Sequence, residues 1–475
     1  MKPAVKAGKK YLAAIAVLEL ITIVVLCMLL LRPHDKPVLT VFGDVDTVYT
    51  VDSLKGFNTE KVSRDGRSMT VIALSEIAKK ADPRSGEYDV CFIGEDGFTA
   101  QTEQPEGIYL ALSRKHGWEV VCPDHPPTTA IRNVAKILIL DRSDGSGVAL
   151  VKGSENQRYS VGQLYLMSGE SRLLDGESNK QGKTVKAYIM RNVVQVKELT
   201  EADSICVMGN NGAQLIDRNV GRLEIKENTV DYVAGDGRQR VPDIAGIYSD
   251  PPPAMITDTA ADAMCMLESG QRVMIIELDG LGITTYMAGE MRTLESLGNM
   301  MQALSVYKPV SPAGLAAMLT GVTGDQNGIV SRERELKVPD LFERAAALGK
   351  KCAYVEGDAA LIRTSLSPRL CVDVNKNGST DDEVLAAAIE EIGHSPDLLF
   401  IHFHGIDDTS HTHGPLSEET KEKMRQLDGY IAQLAALWGD GRIIVTSDHG
   451  QHEGNGADNH GDFRYEDLTV PYIIK

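Results

Sequence analysis

The stretch that decides the fold of the C-terminal half is FHGIDDTSHTHGP, residues 403–415. It is followed by TSDHG at 446–450 and NHG at 459–461, and seven of the chain's 11 histidines lie between residues 402 and 460. Aspartates stand among these histidines at short spacings. Neutral imidazole nitrogen and carboxylate oxygen are the ligands that zinc-like cations take. The pattern therefore predicts a metal site rather than a solvated surface.

Outward from this stretch, apolar runs alternate with helical segments from Ala254 to the end of the chain. Near-continuous apolar strands separated by helices indicate a parallel sheet that is covered on both faces. We therefore predict an α/β fold with a doubly wound, mainly parallel sheet over residues 254–475. Its predicted strands are 272–278, 352–355, 398–403 and 442–446, and its predicted helices end before Gly270, follow Pro312, and lie within 341–348, 381–392 and 417–438.

Three aspartates follow predicted strands of this sheet. Asp279 follows the first strand directly, Asp407 follows the third after a short turn, and Asp448 follows the fourth. The carboxyl ends of parallel strands meet at one edge of a sheet, and such sheets bind their ligands at that edge. One aspartate in this place would be an ordinary loop residue, but three of them with the histidines predict a site.

Four short motifs occur in a fixed order within residues 270–475. They are Asp279-Gly280, Asp407-x-x-x-His411-x-x-Gly414-Pro415, Asp448-His449-Gly450 and His460-Gly461. In these motifs the chain resembles the alkaline phosphatase superfamily and, within it, the type I phosphodiesterase / nucleotide pyrophosphatase branch. The resemblance implies an alkaline-phosphatase-like fold and a metal-dependent phosphoric ester hydrolase.

The resemblance also implies two divalent metal ions, zinc in the first place with manganese as the alternative. One ion would take Asp407, His411 and His460. The other would take Asp279, Asp448 and His449, with the hydroxyl of Ser311 as a further ligand. Two such ions lower the pKa of a hydroxyl and stabilise the attacking and leaving oxygens of an in-line displacement.

Ser311 is the predicted nucleophile. In the family, the nucleophile stands nine residues before a Thr-Gly pair, and Thr320-Gly321 lies nine residues after Ser311. Residues 312–319 read as a helix with proline at its first position, which makes Ser311 the N-cap. That helix end favours an incoming phosphate. A plain capping serine is the alternative.

The chain departs from the phosphodiesterase branch at Gly314, where the branch has an asparagine that binds phosphoryl oxygen. It departs from the alkaline phosphatases at Val310, where they have an aspartate. It also lacks the x-Pro-x-Arg sequence that sulfatases need after their nucleophile. We expect a phosphodiesterase or nucleotide pyrophosphatase that works through a phospho-Ser311 intermediate. A phosphomonoesterase or phosphotransferase of the same superfamily, and a catalytically weak binding or scaffold protein, are the alternatives.

The N-terminus predicts a membrane anchor. Lysines at 2, 6, 9 and 10 precede residues 11–31, a run of 21 residues whose only charge is Glu19. That length spans a bilayer as a helix, and the lysines favour a cytoplasmic stub at 1–10. A cleaved signal peptide is the alternative. We expect a single-pass protein of the cell membrane, with its catalytic domain extracellular.

The net charge of -18 argues against a nucleic-acid-binding face.

Between the anchor and the linker at Pro251–Pro253, two related segments predict two small β-rich modules, 38–142 and 147–248. The sequence at 49–54 recurs at 159–164, and that at 90–97 recurs at 205–212. Each module is expected to contain a helical stretch, 73–80 and 187–194. Neither carries a pattern of metal ligands or a nucleophile, so we expect a spacer or a binding module whose protein partner the sequence does not identify.

Overall fold

A computed structural model of the chain describes residues 36–64, 66–102, 105–123, 131–142, 147–178, 184–190, 192–454 and 459–475. The predicted stub at 1–10 and the predicted anchor at 11–31 lie outside the described residues. Within the described ranges, no helix combines the length and the apolar character that a membrane span requires.

The first β-rich segment contains two sheets and a short helix. The larger sheet has the strand order β2-β1-β9-β5-β6 and the smaller one β3-β4-β7-β8. The elements are β1 (Leu39–Gly43), β2 (Tyr49–Val51), β3 (Thr59–Arg64), β4 (Arg67–Ala73), α1 (Leu74–Ala81), β5 (Tyr88–Gly94), β6 (Thr99–Thr102), β7 (Tyr109–Ser113), β8 (Gly117–Val121) and β9 (Val134–Asp141).

The second segment repeats the larger sheet of the first. Its strand order is β11-β10-β20-β15-β16, and the parallel pair β10/β20 corresponds to the parallel pair β1/β9. The smaller sheets are β12-β13 and β14-β17-β18-β19. The elements are β10 (Val148–Lys152), β11 (Glu155–Tyr159), α2 (Val161–Met167), β12 (Gly169–Ser178), β13 (Thr184–Met190), β14 (Val193–Gln195), β15 (Ile205–Gly209), β16 (Gln214–Asp217), β17 (Arg222–Ile225), β18 (Val230–Val233), β19 (Arg240–Val241) and β20 (Ile244–Ser249).

The repeated turns after β5 and β15 have the same geometry. Gly97 and Gly212 both have φ of 81°, in the left-handed region that favours glycine. Asp96 Oδ1 accepts the amide of Phe98 at 3.0 Å, and Asn211 Oδ1 accepts the amide two residues on at 3.1 Å. The sequence repeat at 90–97 and 205–212 therefore corresponds to one strand and one turn that occur twice.

The helix expected at 187–194 is wrong. Residues 184–190 form β13, which pairs antiparallel with β12, and the helix of this segment is α2. Ser160 and Gln163 form a capping box at its start, with the Ser160 side chain accepting the amide of Gln163 at 3.1 Å. The pairing of β12 with β13 outweighs the helical propensity of residues such as Ala187, because ladder hydrogen bonds use the same backbone groups.

The C-terminal half contains an eight-stranded sheet with the order β21-β23-β28-β27-β22-β26-β24-β25. Its strands are β21 (Ala254–Met255), β22 (Val273–Leu278), β23 (Met300–Leu304), β24 (Cys352–Glu356), β25 (Arg369–Leu370), β26 (Leu398–Phe403), β27 (Arg442–Thr446) and β28 (Thr469–Ile474). Its helices are α3 (Asp258–Glu268), α4 (Ile283–Ala288), α5 (Arg292–Leu297), α6 (Ser311–Thr320), α7 (Gly324–Asn327), α8 (Leu341–Ala347), α9 (Asp381–Gly393), α10 (Gly405–His413), α11 (Glu418–Trp438) and α12 (Tyr465–Leu468).

The predicted α/β fold of this half is confirmed. Strands β27, β22, β26 and β24 are mutually parallel, whereas β28 runs antiparallel to β27 and to β23, so the sheet is mixed. Alternate residues of β22 enter two separate cores: Ile275 packs with α3, α6 and α8, and Ile276 packs with α9 and α11. Helices therefore cover both faces, which is why the strands are mainly apolar.

Contacts continue across the boundaries predicted for the modules. Phe42 and Leu138 of the first segment share a core with Leu164 and Ile247 of the second. Asp44 is buried, and its carboxylate accepts the amide of Gly162 at 3.1 Å. Residues of the second segment also share a small core with residues of the C-terminal half: Ala149, Val151, Cys206, Met208, Ala245 and Tyr248 pack against Leu304, Phe463 and Leu468. The boundaries at 38–142, 147–248 and 254–475 stay predictions.

Candidate active site

Three neighbouring parallel strands bring the predicted aspartates together. β22 lies between β26 and β27, with Leu278 opposite Phe403 and Glu277 opposite Thr446, so the three strands end at nearly the same level. Asp279 follows β22 directly, and the amide of Gly280 donates to Asp448 Oδ1 at 3.2 Å. Gly280 has φ of 73°, which turns the chain back over the strand ends.

The first predicted metal triad is assembled from helix α10 and one loop. Asp407 and His411 lie one helical turn apart, and His411 Nε2 is 3.1 Å from Asp407 Oδ2. His460 Nε2 lies 3.3 Å from His411 Nε2 and 3.9 Å from Asp407 Oδ1. Ligands held at about 2.1 Å around a tetrahedral ion stand about 3.4 Å apart, so these three side chains fit one zinc-like ion.

The second predicted triad lies beside the first. His449 Nε2 is 3.5 Å from Asp279 Oδ1 and 3.4 Å from Asp448 Oδ2. The ring of His449 stacks on that of His460, with centroids 4.2 Å apart. Asp448 Oδ2 is buried and has no hydrogen-bond partner among the residues that the structure describes. A buried carboxylate oxygen without a donor is costly unless a cation neutralises it, so this donor set also fits a divalent ion.

Ser311 lies at the second triad. Its hydroxyl is 3.3 Å from Asp279 Oδ1 and 3.3 Å from His449 Nε2. The N-cap of α6 is Val310, so Ser311 is the first helical residue and the expectation that it is the N-cap is wrong by one position. The side chain of Val310 cannot cap the helix, and the Ser311 hydroxyl contacts the predicted ligands Asp279 and His449.

Gly314 explains why the branch asparagine is missing. A Cβ atom at this position would lie 2.6 Å from the Asp448 carbonyl oxygen and 2.7 Å from the Asp448 Cβ. Helix α6 therefore packs directly on the backbone of a predicted metal ligand. No side chain fits at residue 314 in this arrangement, so an asparagine amide cannot serve a phosphoryl oxygen from there.

Charges in the site are unevenly distributed. Burial acts to raise the pKa of Asp279, but the neighbouring imidazoles of His402 and His404 outweigh it and hold that pKa well below its usual range. Burial, with Asp279 beside it, raises the pKa of Asp448 well above its usual range. Burial and the neighbouring His449 lower the pKa of His460 to about 4. The lowered pKa of His460 favours the neutral imidazole, which is the form that binds a metal ion.

Some residues around the site were not singled out in the sequence or were left without a defined role. Gln451 donates from Nε2 to Asp407 Oδ1. Glu277 and Glu356 are buried beside His402 and contact it. The signal for Glu277 was present, because it is the only charged residue in the buried strand β22. Glu356 ends a different strand and gives no local signal.

The remaining histidines of the cluster differ in their surroundings. His402 and His404, which alternate on and after β26, both lie near Asp279 Oδ2, at 3.4 and 3.1 Å. His452 Nδ1 is 2.7 Å from Asp467 Oδ1. His413 is exposed at the end of α10. The seven predicted site residues thus lie close together, and His402 and His404 contact the group through Asp279.

Comparisons with known proteins agree with the motifs. Residues 273–468 match the family model described as type I phosphodiesterase / nucleotide pyrophosphatase. A segment of 131 residues is 32% identical to GPI ethanolamine phosphate transferase 3 of Eremothecium gossypii, covering 24% of this chain and 13% of that protein. The chain therefore spans only a small part of that curated relative.

Solved structures give partial overlaps. Murine ectonucleotide pyrophosphatase / phosphodiesterase 5 is 21% identical, with a TM-score of 0.33, and the match covers 38% of this chain and 58% of that one. Phosphonoacetate hydrolase from Sinorhizobium meliloti 1021, in complex with phosphonoformate, is 20% identical, with a TM-score of 0.32 and coverage of 40% and 59%. The match of the family model thus confirms, for residues 273–468, the resemblance to the type I phosphodiesterase / nucleotide pyrophosphatase family that the motifs indicate.

Proposed function

We propose that the chain is a metal-dependent hydrolase of phosphate esters, with phosphodiesters and nucleotide pyrophosphates as its preferred class and Ser311 as its nucleophile. The observation that carries the proposal is the position of the Ser311 hydroxyl, 3.3 Å from both Asp279 Oδ1 and His449 Nε2. An unpartnered, buried Asp448 oxygen belongs to the same triad. A hydroxyl among predicted metal ligands has the surroundings that an activated nucleophile needs.

The side chains divide the work as follows. Asp279, Asp448 and His449 would hold one divalent ion, and Asp407, His411 and His460 the other. Such ions lower the pKa of a hydroxyl and neutralise charge on the phosphoryl oxygens. Gln451 donates to Asp407 and orients that carboxylate.

In the first step, Ser311 Oγ forms a bond to phosphorus while the ester P–O bond breaks. The proton of Oγ passes out of the site to the departing alcohol or phosphate. The positive end of the α6 dipole lies at the attacked phosphate. The amides of Ala313 and Gly314 already donate to the Val310 carbonyl at 3.0 Å each and are not free to bind the phosphate. The helix end therefore attracts the phosphate through its dipole and not through these two amides. Water then cleaves the phospho-Ser311 ester and restores the hydroxyl.

A phosphotransferase is the second candidate. Its support is the 32% identity to GPI ethanolamine phosphate transferase 3 over 131 residues. The same phospho-Ser311 intermediate would then pass its phosphoryl group to an alcohol instead of water. A phosphomonoesterase differs only in the substrate, and a scaffold protein would keep the fold without turnover.

The test compares bis(p-nitrophenyl) phosphate, p-nitrophenyl phosphate and p-nitrophenyl sulfate as substrates of the zinc-loaded full chain. We expect the diester to be turned over fastest and Ser311→Ala to lose most of the turnover. Ser269→Ala is the matched control, because Ser269 is an exposed helix-end serine that bonds the Cys265 carbonyl. Turnover of the diester by Ser311→Ala at the wild-type rate would reject Ser311 as nucleophile. Absence of ester turnover in zinc and in manganese would reject the hydrolase.

An added alcohol distinguishes the transferase. If glycerol or ethanolamine diverts the phosphoryl group at the expense of free phosphate, the transferase accounts for the site better than the hydrolase. Dipicolinate should abolish turnover and added zinc should restore it, since the six Asp and His ligands lose their function without metal.

We also propose that residues 11–31 anchor the protein in the cell membrane with the catalytic domain outside. The support is the early lysine cluster and the 21-residue apolar run. Protease added to intact cells should then remove the C-terminal half. Protection of that half would contradict the anchor's orientation.

A further inference from the structure

We propose that the cavity between the two β-rich segments is a binding site for a small anionic sugar, that is, a hydroxylated ring with a carboxylate or a phosphate. The cavity has a volume of about 540 Å³. Small-molecule sites commonly have volumes of about 300–1,000 Å³ and often lie where two structural units meet. Every residue that lines this cavity belongs to the two β-rich segments, so the inference does not rest on the proposed function of the C-terminal half.

Both segments contribute walls to the cavity. From the first segment, Thr40 and Phe42 of β1 lie on one face of the sheet, because alternate residues of a strand share a face. Lys136 of β9 is paired in register with Thr40 and stands beside it. From the second segment come Tyr165 of α2 and the turn 226–229, which joins β17 to β18. The cavity is therefore complete only when the two segments pack together.

Two contacts hold the turn 226–229 against the first segment. The amide of Gly43 donates to the Glu227 carbonyl at 2.9 Å. Arg84 Nη2 donates to the Asn228 carbonyl at 3.1 Å. The wall is thus in place before any ligand arrives, and a preformed site avoids the cost of ordering a loop on binding.

The hydroxyl of Tyr165 lacks a partner at the cavity. Tyr165 is only 3% exposed, and its ring packs edge-on against that of Phe42 with centroids 4.9 Å apart. Its hydroxyl makes no hydrogen bond among the residues that the structure describes, although a buried tyrosine hydroxyl usually has one. Burial, with the charge of Glu227, raises the pKa of Tyr165, so the hydroxyl keeps its proton. It is therefore available to donate to an oxygen of a ligand.

Lys136 supplies a positive charge to the cavity. Its Nζ lies 5.6 Å from the centre of the Phe42 ring, and it makes no ion pair within the described part of the chain. The second lysine of the lining, Lys226, lies 2.6 Å from the buried carboxylate of Asp231, which neutralises it. An ammonium group without a carboxylate, in a chain of net charge -18, favours an anionic group on the ligand.

The other polar side chains of the lining suit hydroxyl groups. A sugar hydroxyl both donates and accepts, and so do the amides of Asn192 and Asn228 and the hydroxyls of Thr40 and Thr229. The Glu227 carboxylate accepts hydrogen bonds from hydroxyls but repels an anion. A ring with several hydroxyls and one anionic group therefore matches this lining better than an apolar anion does.

The test measures binding to the zinc-loaded full chain by isothermal titration calorimetry, with glucuronate, glucose 6-phosphate and glucose as probes. We expect both anions to bind, and Lys136→Gln to weaken the binding of glucuronate about tenfold, because hydrogen bonds to charged groups are the stronger kind. Tyr165→Phe keeps the ring and should weaken it about fivefold. Lys61→Gln is the matched control and should bind as the wild type does, because Lys61 is exposed on β3, outside the cavity.

The probes also locate the bound anion. Glucose 6-phosphate is a phosphate ester, so the predicted active site can bind it as well. Affinities that Lys136→Gln and Tyr165→Phe leave unchanged, or binding of glucuronate that is lost when zinc is removed, would overturn the cavity site. Glucose binding as tightly as glucuronate would overturn the anionic class of the ligand. Tighter binding of one anion than of the other would identify the charged group as carboxylate or phosphate and support the site.

A measurement on the wild type alone decides the matter where a variant fails to fold. An amine-reactive label should modify Lys136 and Lys61, and mass spectrometry of peptides gives both rates. Glucuronate should slow the labelling of Lys136 and leave that of Lys61 unchanged; equal rates at Lys136 with and without glucuronate would overturn the proposal. Protection of Lys136 in a protein without diester turnover would leave the cavity site standing and reject the hydrolase.

Discussion

Replacing Gly314 with alanine should impair the site through backbone geometry alone. The new Cβ would lie 2.6 Å from the Asp448 carbonyl oxygen and 2.9 Å from its carbonyl carbon. Ordinary contact begins at 3.4 Å, so the helix and the Asp448 backbone must separate by about 0.8 Å (3.4 minus 2.6). Both partners are backbone, so no flexible side chain can move aside.

The expected loss follows from that displacement. Overpacking of a tightly packed interior costs about 1–3 kcal/mol, and each kcal/mol lowers Tm by roughly 2–4 °C for a domain of this size. α6 carries Ser311, and Asp448 is its predicted neighbour at the metal. Because a misplacement of about 1 Å costs on the order of 100-fold in rate, kcat/KM should fall by about that factor.

The assay measures kcat/KM on bis(p-nitrophenyl) phosphate at saturating zinc, with zinc content and Tm on the same samples. Gly429→Ala is the matched control, because a Cβ at this exposed position of α11 has no atom of the other described residues, its own helix backbone aside, within 4 Å. That variant should keep its turnover and gain about 0.5–1 kcal/mol of stability. If Gly314→Ala keeps the wild-type kcat/KM and zinc content, the site does not depend on the close contact between α6 and the Asp448 backbone that the absence of a side chain at residue 314 permits.

Ser311→Thr should retain measurable diester turnover, because it keeps a hydroxyl; turnover as low as that of Ser311→Ala would mean that the extra methyl group is not accommodated. Cys265 is exposed and should react with a thiol reagent in the native protein. Burial raises the pKa of Cys206 to about 12, so that thiol should react only after unfolding, which mass spectrometry of labelled peptides can check. Gly246→Ala should weaken zinc binding, because the new Cβ would lie 2.7 Å from the ring of Phe463 and would displace the loop that also carries His460. Competition with a chelating dye measures the zinc affinity, and an unchanged affinity would contradict this prediction.

Parts of the fold follow from local sequence. The strands predicted at 398–403 and 442–446 coincide with β26 and β27. Both are short apolar runs that are buried on each face and end at polar residues, which is the clearest signal that a parallel strand gives. The three aspartates follow parallel strands, and the carboxyl ends of parallel strands lie at the same edge of the sheet. Their proximity at that edge could therefore be predicted from the sequence.

Strand β28 was not predicted. Its sequence Thr469–Ile474 is apolar, but Pro471 interrupts it, and proline ordinarily argues against a central strand. In the structure β28 lies between β23 and β27, and Pro471 accepts a hydrogen bond from the Thr446 hydroxyl at 3.0 Å. Pairing with strands on both sides outweighs the unfavourable effect of the proline. The sequence around β28 does not reveal that pairing, because β23 and β27 are distant in the chain.

The buried residues beside His402 show the same limit for the site. Glu277 stands out in its strand, but its meaning depends on Glu356 and His402, which come from β24 and β26. These strands are adjacent only because of the sheet order β22-β26-β24. A charged residue in a buried strand can be read from the sequence as an anomaly, whereas its partners become known only with the topology.

The second β-rich segment contacts a loop of the predicted site. β20 packs its Gly246 directly under the ring of Phe463, and Arg158 Nη2 lies 3.9 Å from Asp462 Oδ1 on the same loop. That loop also carries His460, a predicted ligand of the first metal triad. A ligand on a loop is precise only where the loop is supported, because loops otherwise move more than the elements they connect. The support here comes from outside the family-matched residues 273–468, so the family motifs alone do not contain everything that holds His460 in place.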